Sequence, residues 1–337
     1  MNRKAETHET VVITGASAGL GRAIACEFAK NGARVALLAR GKEGLEAAAR
    51  DVEAAGGTAL TYQADVSDAG AVEAAAESVE RQFGPIDVWI NNAMVSVFSP
   101  VKEMKPEEYK RVTEVTYLGV VNGTLAALQR MLPRDRGKII QIGSALAYRS
   151  IPLQSAYCAA KHAIVGFTDS LRCELIHDRS KVDLAIVHMP ALNTPQFEWV
   201  KSRLKNKAQP VPPIFEPEVG ARAVFWAAHH RRPEVYVGAS TVEAIVGNKV
   251  APRFLDGYLG RNGYDSQQTP EPETPDRRDN LWAAADSDRD HGAHGAFDGR
   301  AHRYSVQLWA DLHRKWLAIG LGMSAGAALI AVALRDR

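Results

Sequence analysis

The 337-residue chain predicts an α/β protein, a single domain built on a doubly wound parallel sheet, followed by a linker and a C-terminal helix. Three observations carry that prediction. β-Branched apolar runs alternate with alanine-rich helical stretches from residue 11 to about 192. The first run leads into a glycine-rich turn, Thr14-Gly15-Ala16-Ser17-Ala18-Gly19-Leu20-Gly21. Further on come Ser144 and then Tyr157 and Lys161, an i, i+4 pair that a helix puts on one face, one turn apart.

The strands are predicted at 11–14, 34–38, 59–63, 88–91, 138–142 and 183–188, and the helices at 20–31, 42–55, 69–83, 106–130, 154–177 and 218–229. Strands separated by helices pair in parallel, and ligands of such sheets sit at the carboxyl ends of the strands. Thr14, Asn92 and Ser144 fall at or just after such ends, so they converge on one crevice. Residues 190–217 break the rhythm with six prolines and interleaved Phe197, Trp199 and Phe215, as a lid over a substrate would.

Residue types at these positions suit hydride-transfer chemistry. Interconverting a carbonyl and an alcohol needs a hydride carrier, which a nicotinamide supplies, and a proton carrier at the substrate oxygen. Tyr157 is the proton carrier in this reading. A phenol titrates near 10, and the Lys161 ammonium is expected to pull it toward working pH. Ser144 is placed to hydrogen-bond the substrate oxygen.

Composition bounds the rest. The chain is 46% hydrophobic with a net charge of +2 and no concentrated basic stripe, so nucleic acid is not expected as a partner. Cys26, Cys158 and Cys173 fall inside predicted helices without metal spacing, which suits a reducing cytosol; Cys158 reads as helix packing. Residues 1–10 are polar, with no secretory signal, and read as a flexible N-terminus.

Residues 11–260 read as the catalytic domain and 261–303, poor in aliphatics, as a disordered linker. His291 and His294 lie in that linker without a ligand frame, and no metal is expected. Residues 304–337 read as an interfacial or transmembrane helix. Val306, Leu308, Trp309, Leu312 and Trp316 make an amphipathic entry, and 317–334 form an uncharged run of 18 residues. As a helix that run spans roughly 27 Å, close to the ~30 Å of a hydrocarbon core. Gly322 and Gly326 offer a close-approach face. The expected location is a membrane with the catalytic domain on the cytoplasmic side, the alternative a soluble cytoplasmic protein; a homo-oligomer is also expected.

Taken together, the glycine turn, Ala64-Asp65-Val66, Asn91-Asn92-Ala93, Ser144 and Tyr157-Cys158-Ala159-Ala160-Lys161 resemble the short-chain dehydrogenase/reductase family, in its T-G-x-x-x-G-x-G subgroup. The resemblance covers about residues 10–258 and implies a Rossmann-type fold. It further implies that Thr14, Gly15, Ser17, Gly19, Leu20 and Gly21 cradle a dinucleotide, that Asp65 and Val66 meet its adenine, and that Asn92 and Ala93 support it. Lys161 meets the nicotinamide ribose and Thr194, from Pro190-Ala191-Leu192-Asn193-Thr194, the carboxamide, with Tyr157 and Pro190 also among the cofactor-binding residues.

Two positions depart from the family pattern. Ala191 replaces a glycine. Thr116, in Val115-Thr116-Tyr117-Leu118-Gly119, stands where the family's catalytic Asn holds a water that relays protons to the lysine, and Asn122 is no positional substitute. The cofactor form is expected to be NADP(H). The second strand ends without a carboxylate, and Arg40 follows it, able to pair with a 2′-phosphate; Arg22 is read as a solvated helix residue. The expected substrate is a small apolar secondary alcohol or ketone. A non-catalytic nucleotide sensor of the same fold, motivated by Thr116, is the alternative; a sugar-nucleotide epimerase or dehydratase is disfavoured by its different glycine turn.

Overall fold

The structure is a computed structural model that describes residues 8–274 and 277–314. Its centre is a seven-stranded sheet in which every strand pair is parallel. In chain order its main elements are β1 (Thr10–Thr14), α1 (Gly19–Ala29), β2 (Arg34–Ala39), α2 (Lys42–Ala54), β3 (Thr58–Gln63), α3 (Ala69–Phe83) and β4 (Val88–Asn91). Then come α4 (Pro106–Val112), α5 (Gly119–Met131), β5 (Lys138–Ser144), α6 (Ser155–His177), β6 (Asp183–Met189), α7 (Pro217–His229), β7 (Glu234–Tyr236), α8 (Ala239–Val250) and α9 (Pro252–Asn262). The strand order is β7-β6-β5-β4-β1-β2-β3. The order reverses between β1 and β4, and there the crevice opens.

Two cores flank this sheet. Val11, Ile13, Val35 and Leu37 face α1, α2 and α7; Val12, Ala36, Leu38 and Trp89 face the other layer. Strands buried on both faces read as continuous apolar runs, which is why their positions were legible. Each fully buried Ile or Leu contributes about 1.5–3 kcal/mol relative to exposure. Asp68 caps α3, accepting from the Ala71 N–H at 3.0 Å.

Residues 106–130, expected as one helix, form three pieces. Between α4 and α5 the chain widens into a π-helical stretch, Thr113–Leu118, which contains Thr116. The sequence reading also lacked β7, whose three residues are too few to show a period.

The largest departure is the segment 261–303. Expected as a disordered linker, it is instead seated on the domain. Gln268–Pro272 pairs antiparallel with Asn206–Ala208, and Ala301–His302 pairs with Ile214–Phe215, which pairs with Ala191–Leu192. Leu281 is fully buried among the residues of the second core. Arg22, read as a solvated residue, is 5% exposed and ion-pairs with Asp51 at 2.7 Å and with Asp290 of this segment. Charge pairs and backbone bonds do what aliphatics do elsewhere, so composition alone pointed the wrong way.

The amphipathic entry helix is also reassigned in its described part. Val306–Leu312, here α10, docks Leu308 into the first core, while Arg232 holds Asp311 at 2.6 Å. Among the described residues no helix is long and apolar enough to cross a membrane. The predicted span 317–334 lies outside the described residues.

Candidate functional site

The carboxyl ends of β1 and β4 are locked to each other. The Thr14 hydroxyl accepts from the N–H groups of Asn92 (2.9 Å) and Ala93 (3.1 Å), and the Asn92 amide donates to the carbonyls of Thr14 (2.9 Å) and Gly15 (3.0 Å). Gly15 adopts φ +65°, and a Cβ there would lie 2.7 Å from the Ala93 Cα. A Cβ on Gly21 would strike the Gly15 carbonyl and lie 2.6 Å from the Asn92 amide nitrogen. The turn is therefore closed tightly on its own strand, and at the start of α1 the Gly19 N–H donates to the Gly292 carbonyl at 3.0 Å.

A cavity of about 400 Å³ runs along these strand ends. It is lined by Gly15, Ser17, Gly19, Leu20, Arg40, Asp65, Val66, Asn92, Ala93, Ser144, Tyr157, Lys161, Pro190 and Thr194, so these expected site residues share one space. Thr14, Gly21 and Thr116 stand behind that surface. Phe197 and Trp199 of the proline-rich loop line it too, whereas Phe215 belongs to the core. The cavity brings the glycine turn together with Ser144, Tyr157 and Lys161.

Elsewhere along the cavity, β5 delivers Ser144 and α6 delivers Tyr157 and Lys161. The Ser144 oxygen accepts from the Leu146 N–H at 3.1 Å, leaving its proton to donate into the cavity. Lys161 is 3% exposed and donates to the Ile142 carbonyl at 2.6 Å; its ammonium lies 5.5 Å from the centre of the Tyr157 ring. Burial pushes the Lys161 ammonium down to about 8. Burial also raises the Tyr157 phenol well above its ordinary value, against the opposing pull of the Ser144 hydroxyl. Burial is the largest influence on Tyr157, and it moves the phenol away from working pH rather than toward it.

Thr116 is buried completely, and its hydroxyl is used twice. It accepts from the Val95 N–H (3.1 Å) and donates to the Val95 carbonyl (2.9 Å). Asn122 donates to the Val66 carbonyl at 2.9 Å and so serves the opposite end of the cleft.

The adenosine end differs from expectation. The Arg40 guanidinium, expected to be free for a phosphate, donates to the carbonyls of Asn280 (2.6 Å), Trp282 (3.3 Å) and Leu281 (3.5 Å). Asp65 is engaged by Arg111 and by both the N–H (3.0 Å) and hydroxyl (2.7 Å) of Ser67. Burial alone would raise its carboxyl, and these bonds together hold it below the ordinary range. Arg111 also donates to the Leu281 carbonyl at 3.0 Å.

Sequence reasoning missed Arg111, Asn280, Ala284, Ala285 and Asp286. Apart from Arg111 they line the cavity from a segment far down the chain, where no local pattern marks them.

His294 is exposed, as a solvated residue would be, but it has acidic neighbours that sequence spacing did not suggest. Its ring nitrogens face Glu218 at 2.8 Å, Glu216 at 3.3 Å and Asp298 at 3.4 Å. Glu216, His294 and Asp298 form the ligand-like grouping that sequence spacing did not suggest. Burial works to lower the imidazole, but the carboxylates outweigh it and its proton is held more tightly than usual. The His294 ring thus links the segment to Glu216 and to Glu218 of α7.

This fold and site define an oxidoreductase of the dinucleotide-binding type. The family profile described as short chain dehydrogenase matches residues 9–204, and the chain belongs to that family. It is 32% identical over 286 residues to an uncharacterized oxidoreductase, YxnA, of Bacillus subtilis, covering 84% of this chain and 80% of that protein. It is 37% identical over 173 residues to human dehydrogenase/reductase SDR family member 7, covering 50% of this chain and 51% of the human one. A metagenomic short-chain oxidoreductase solved with NADP superposes with a TM-score of 0.58 at 30% identity, covering 69% of this chain and 98% of that one. An alcohol dehydrogenase of the archaeon Thermococcus sibiricus, complexed with 5-hydroxy-NADP, gives 0.59 at 28% identity, over 68% and 96% of the two chains.

Proposed function

We propose that this protein transfers a hydride between a nicotinamide dinucleotide and an apolar secondary alcohol or ketone, with Tyr157 as general acid and base. One observation carries the reading: Ser144, Tyr157 and Lys161 open into the same cavity as the glycine turn. The bound nicotinamide supplies or receives the hydride. In the reducing direction Ser144 donates a hydrogen bond to the carbonyl oxygen, and Tyr157, held protonated by burial, delivers its proton to that oxygen. Lys161 holds positive charge beside the phenol as it becomes a phenolate. Phe98, Leu146, Ile151, Phe197 and Trp199 line the cavity and exclude water around the reacting carbon, which favours an apolar substrate.

NADP(H), the form expected from the sequence, draws its support from the NADP complexes of the two structural relatives; β2 itself ends without an acid, but the Asp286 carboxylate packs against Gly41 and Gly44 just beyond it. Arg40 adds to that support only by exchanging its carbonyl partners for a phosphate. A membrane tether through residues 317–334 and a homo-oligomer rest on sequence alone. The intact Ser144, Tyr157 and Lys161, which line one cavity, argue against the sensor alternative that Thr116 motivates.

The test is a panel of apolar ketones with NADPH and with NADH. Tyr157→Phe keeps the ring and removes the proton, so turnover should disappear while either dinucleotide still binds. Near-native turnover by that variant on an active substrate would overturn the assignment.

A further inference from the structure

The end of β2 holds Arg40 but no acid, yet a carboxylate stands there. It comes from residue 286. The Asp286 carbonyl accepts from the Gly44 N–H at 3.1 Å, and its carboxylate packs against Gly41 and Gly44 in the first turn of α2. A Cβ at either glycine would collide with it. On the other side lies Ser17 of the glycine turn, whose Cβ would be 3.0 Å from a Cβ on Gly44. Dinucleotide-binding folds set the ribose 2′ position at this place, just past the second strand.

The chemistry of the site also points to a ligand. Asp286 is 8% exposed, lines the cavity, and its carboxylate has no hydrogen-bond donor among the described residues. A carboxylate that lines the cavity without a protein donor has lone pairs free to accept from a ribose hydroxyl. A 2′-phosphate would instead bring further negative charge against it. The nearest strong counter-charge, Arg40, has turned its N–H groups to the carbonyls of Asn280, Leu281 and Trp282.

The segment that carries Asp286 is held as a wall. Leu281 is fully buried, Arg111 holds its carbonyl at 3.0 Å, and the Gly292 carbonyl accepts from the Gly19 N–H at 3.0 Å. Displacing it would break all of these at once.

We propose that Asp286 reads the ribose 2′ position and selects a free hydroxyl over a 2′-phosphate, so that the protein prefers NAD(H). This rests on the nicotinamide reading for its biological sense but concerns the adenosine half alone. It replaces an acid at the end of β2 by one from the C-terminal segment.

The probes are ADP-ribose and its 2′-phosphorylated form, whose binding requires no turnover. Full-length protein should bind ADP-ribose tighter by about tenfold or more, the discrimination expected of a like-charge contact. Asp286→Ala should remove most of that ratio, by strengthening the phosphorylated ligand and weakening the other. Asp286→Asn keeps the volume, with a thermal melt to check folding, and should fall between. Arg40→Ala should leave the preference of the wild type in place. An unchanged ratio in both Asp286 variants, a wild-type preference for the phosphorylated ligand, or no binding of either overturns the proposal. Absence of turnover in the ketone panel with the ratio as stated overturns the hydride-transfer reading instead.

Discussion

The Thr116 hydroxyl spans both polar groups of Val95, accepting from its N–H and donating to its carbonyl. This pair ties the π-helical stretch to the chain just past β4, behind the cavity wall that Val95 itself helps to form. Such widened turns recur at functional sites because they redirect backbone groups a regular helix would consume.

Thr116→Val is nearly isosteric and strips out the hydroxyl. It leaves the buried Val95 amide without a partner, so unfolding in urea should show a loss of about 1–3 kcal/mol. Thr116→Ser should recover most of it. If the valine variant lies within about 0.5 kcal/mol of wild type, the two bonds contribute little.

The pH profile of carbonyl reduction should follow Lys161. Tyr157 stays protonated through neutral pH because burial raises it, so the falling limb comes from loss of the Lys161 proton near pH 8. Below that value the lysine is charged and kcat/KM should be flat; above it the rate should fall. Lys161→Arg keeps the charge to far higher pH, so any activity it retains should lose the limb. A limb unmoved in that variant would assign it to another group.

The His294 clasp should loosen as pH rises. Its folded-state pKa lies above the ordinary 6.5, so its contribution is complete below pH 6.5 and is lost as pH passes through the raised folded value. The amides of Gly295 and Phe297, bonded to Asn193 at 3.2 and 3.0 Å, are the reporters. Corrected for intrinsic rates, their hydrogen exchange should speed up across that range in the wild type and be nearly flat in His294→Ala. The same pH dependence in both proteins would count against the clasp.

What was legible in the sequence was what physics confines to a few neighbouring residues. Tyr157 and Lys161 announce themselves because one helical turn brings them together, and Gly15 and Gly21 because a strand-to-helix turn this tight excludes Cβ atoms. The alternation of β1, β2 and β4 with helices is equally local. Arg111, Asp286 and His294 are different. Each acquires its partners across the fold: Arg111 from Asp65 and Leu281, Asp286 from Gly41 and Gly44, His294 from Glu216 and Glu218. Residues 263–303 were misread because low aliphatic content signals disorder only where a segment depends on its own core. This one leans on arginines and backbone donors already fixed by the rest of the domain. The single leucine it buries, Leu281, adds about 2 kcal/mol by removal from water.

The covering of the adenosine end by residues 277–303 also sets an order of events during synthesis. Domains begin to fold while the chain is still emerging. Ser144, Tyr157 and Lys161 leave the ribosome more than a hundred residues before Asn280 and Asp286. When Ser144, Tyr157 and Lys161 have been made, the Asn280–Asp286 wall of the same cavity has still to be synthesised. Leu281 and the guanidinium of Arg40 remain without their final partners until the last turns of chain arrive. A premature stop near residue 260 would leave a product with Ser144, Tyr157 and Lys161 present and the wall from Asn280 to Asp286 missing.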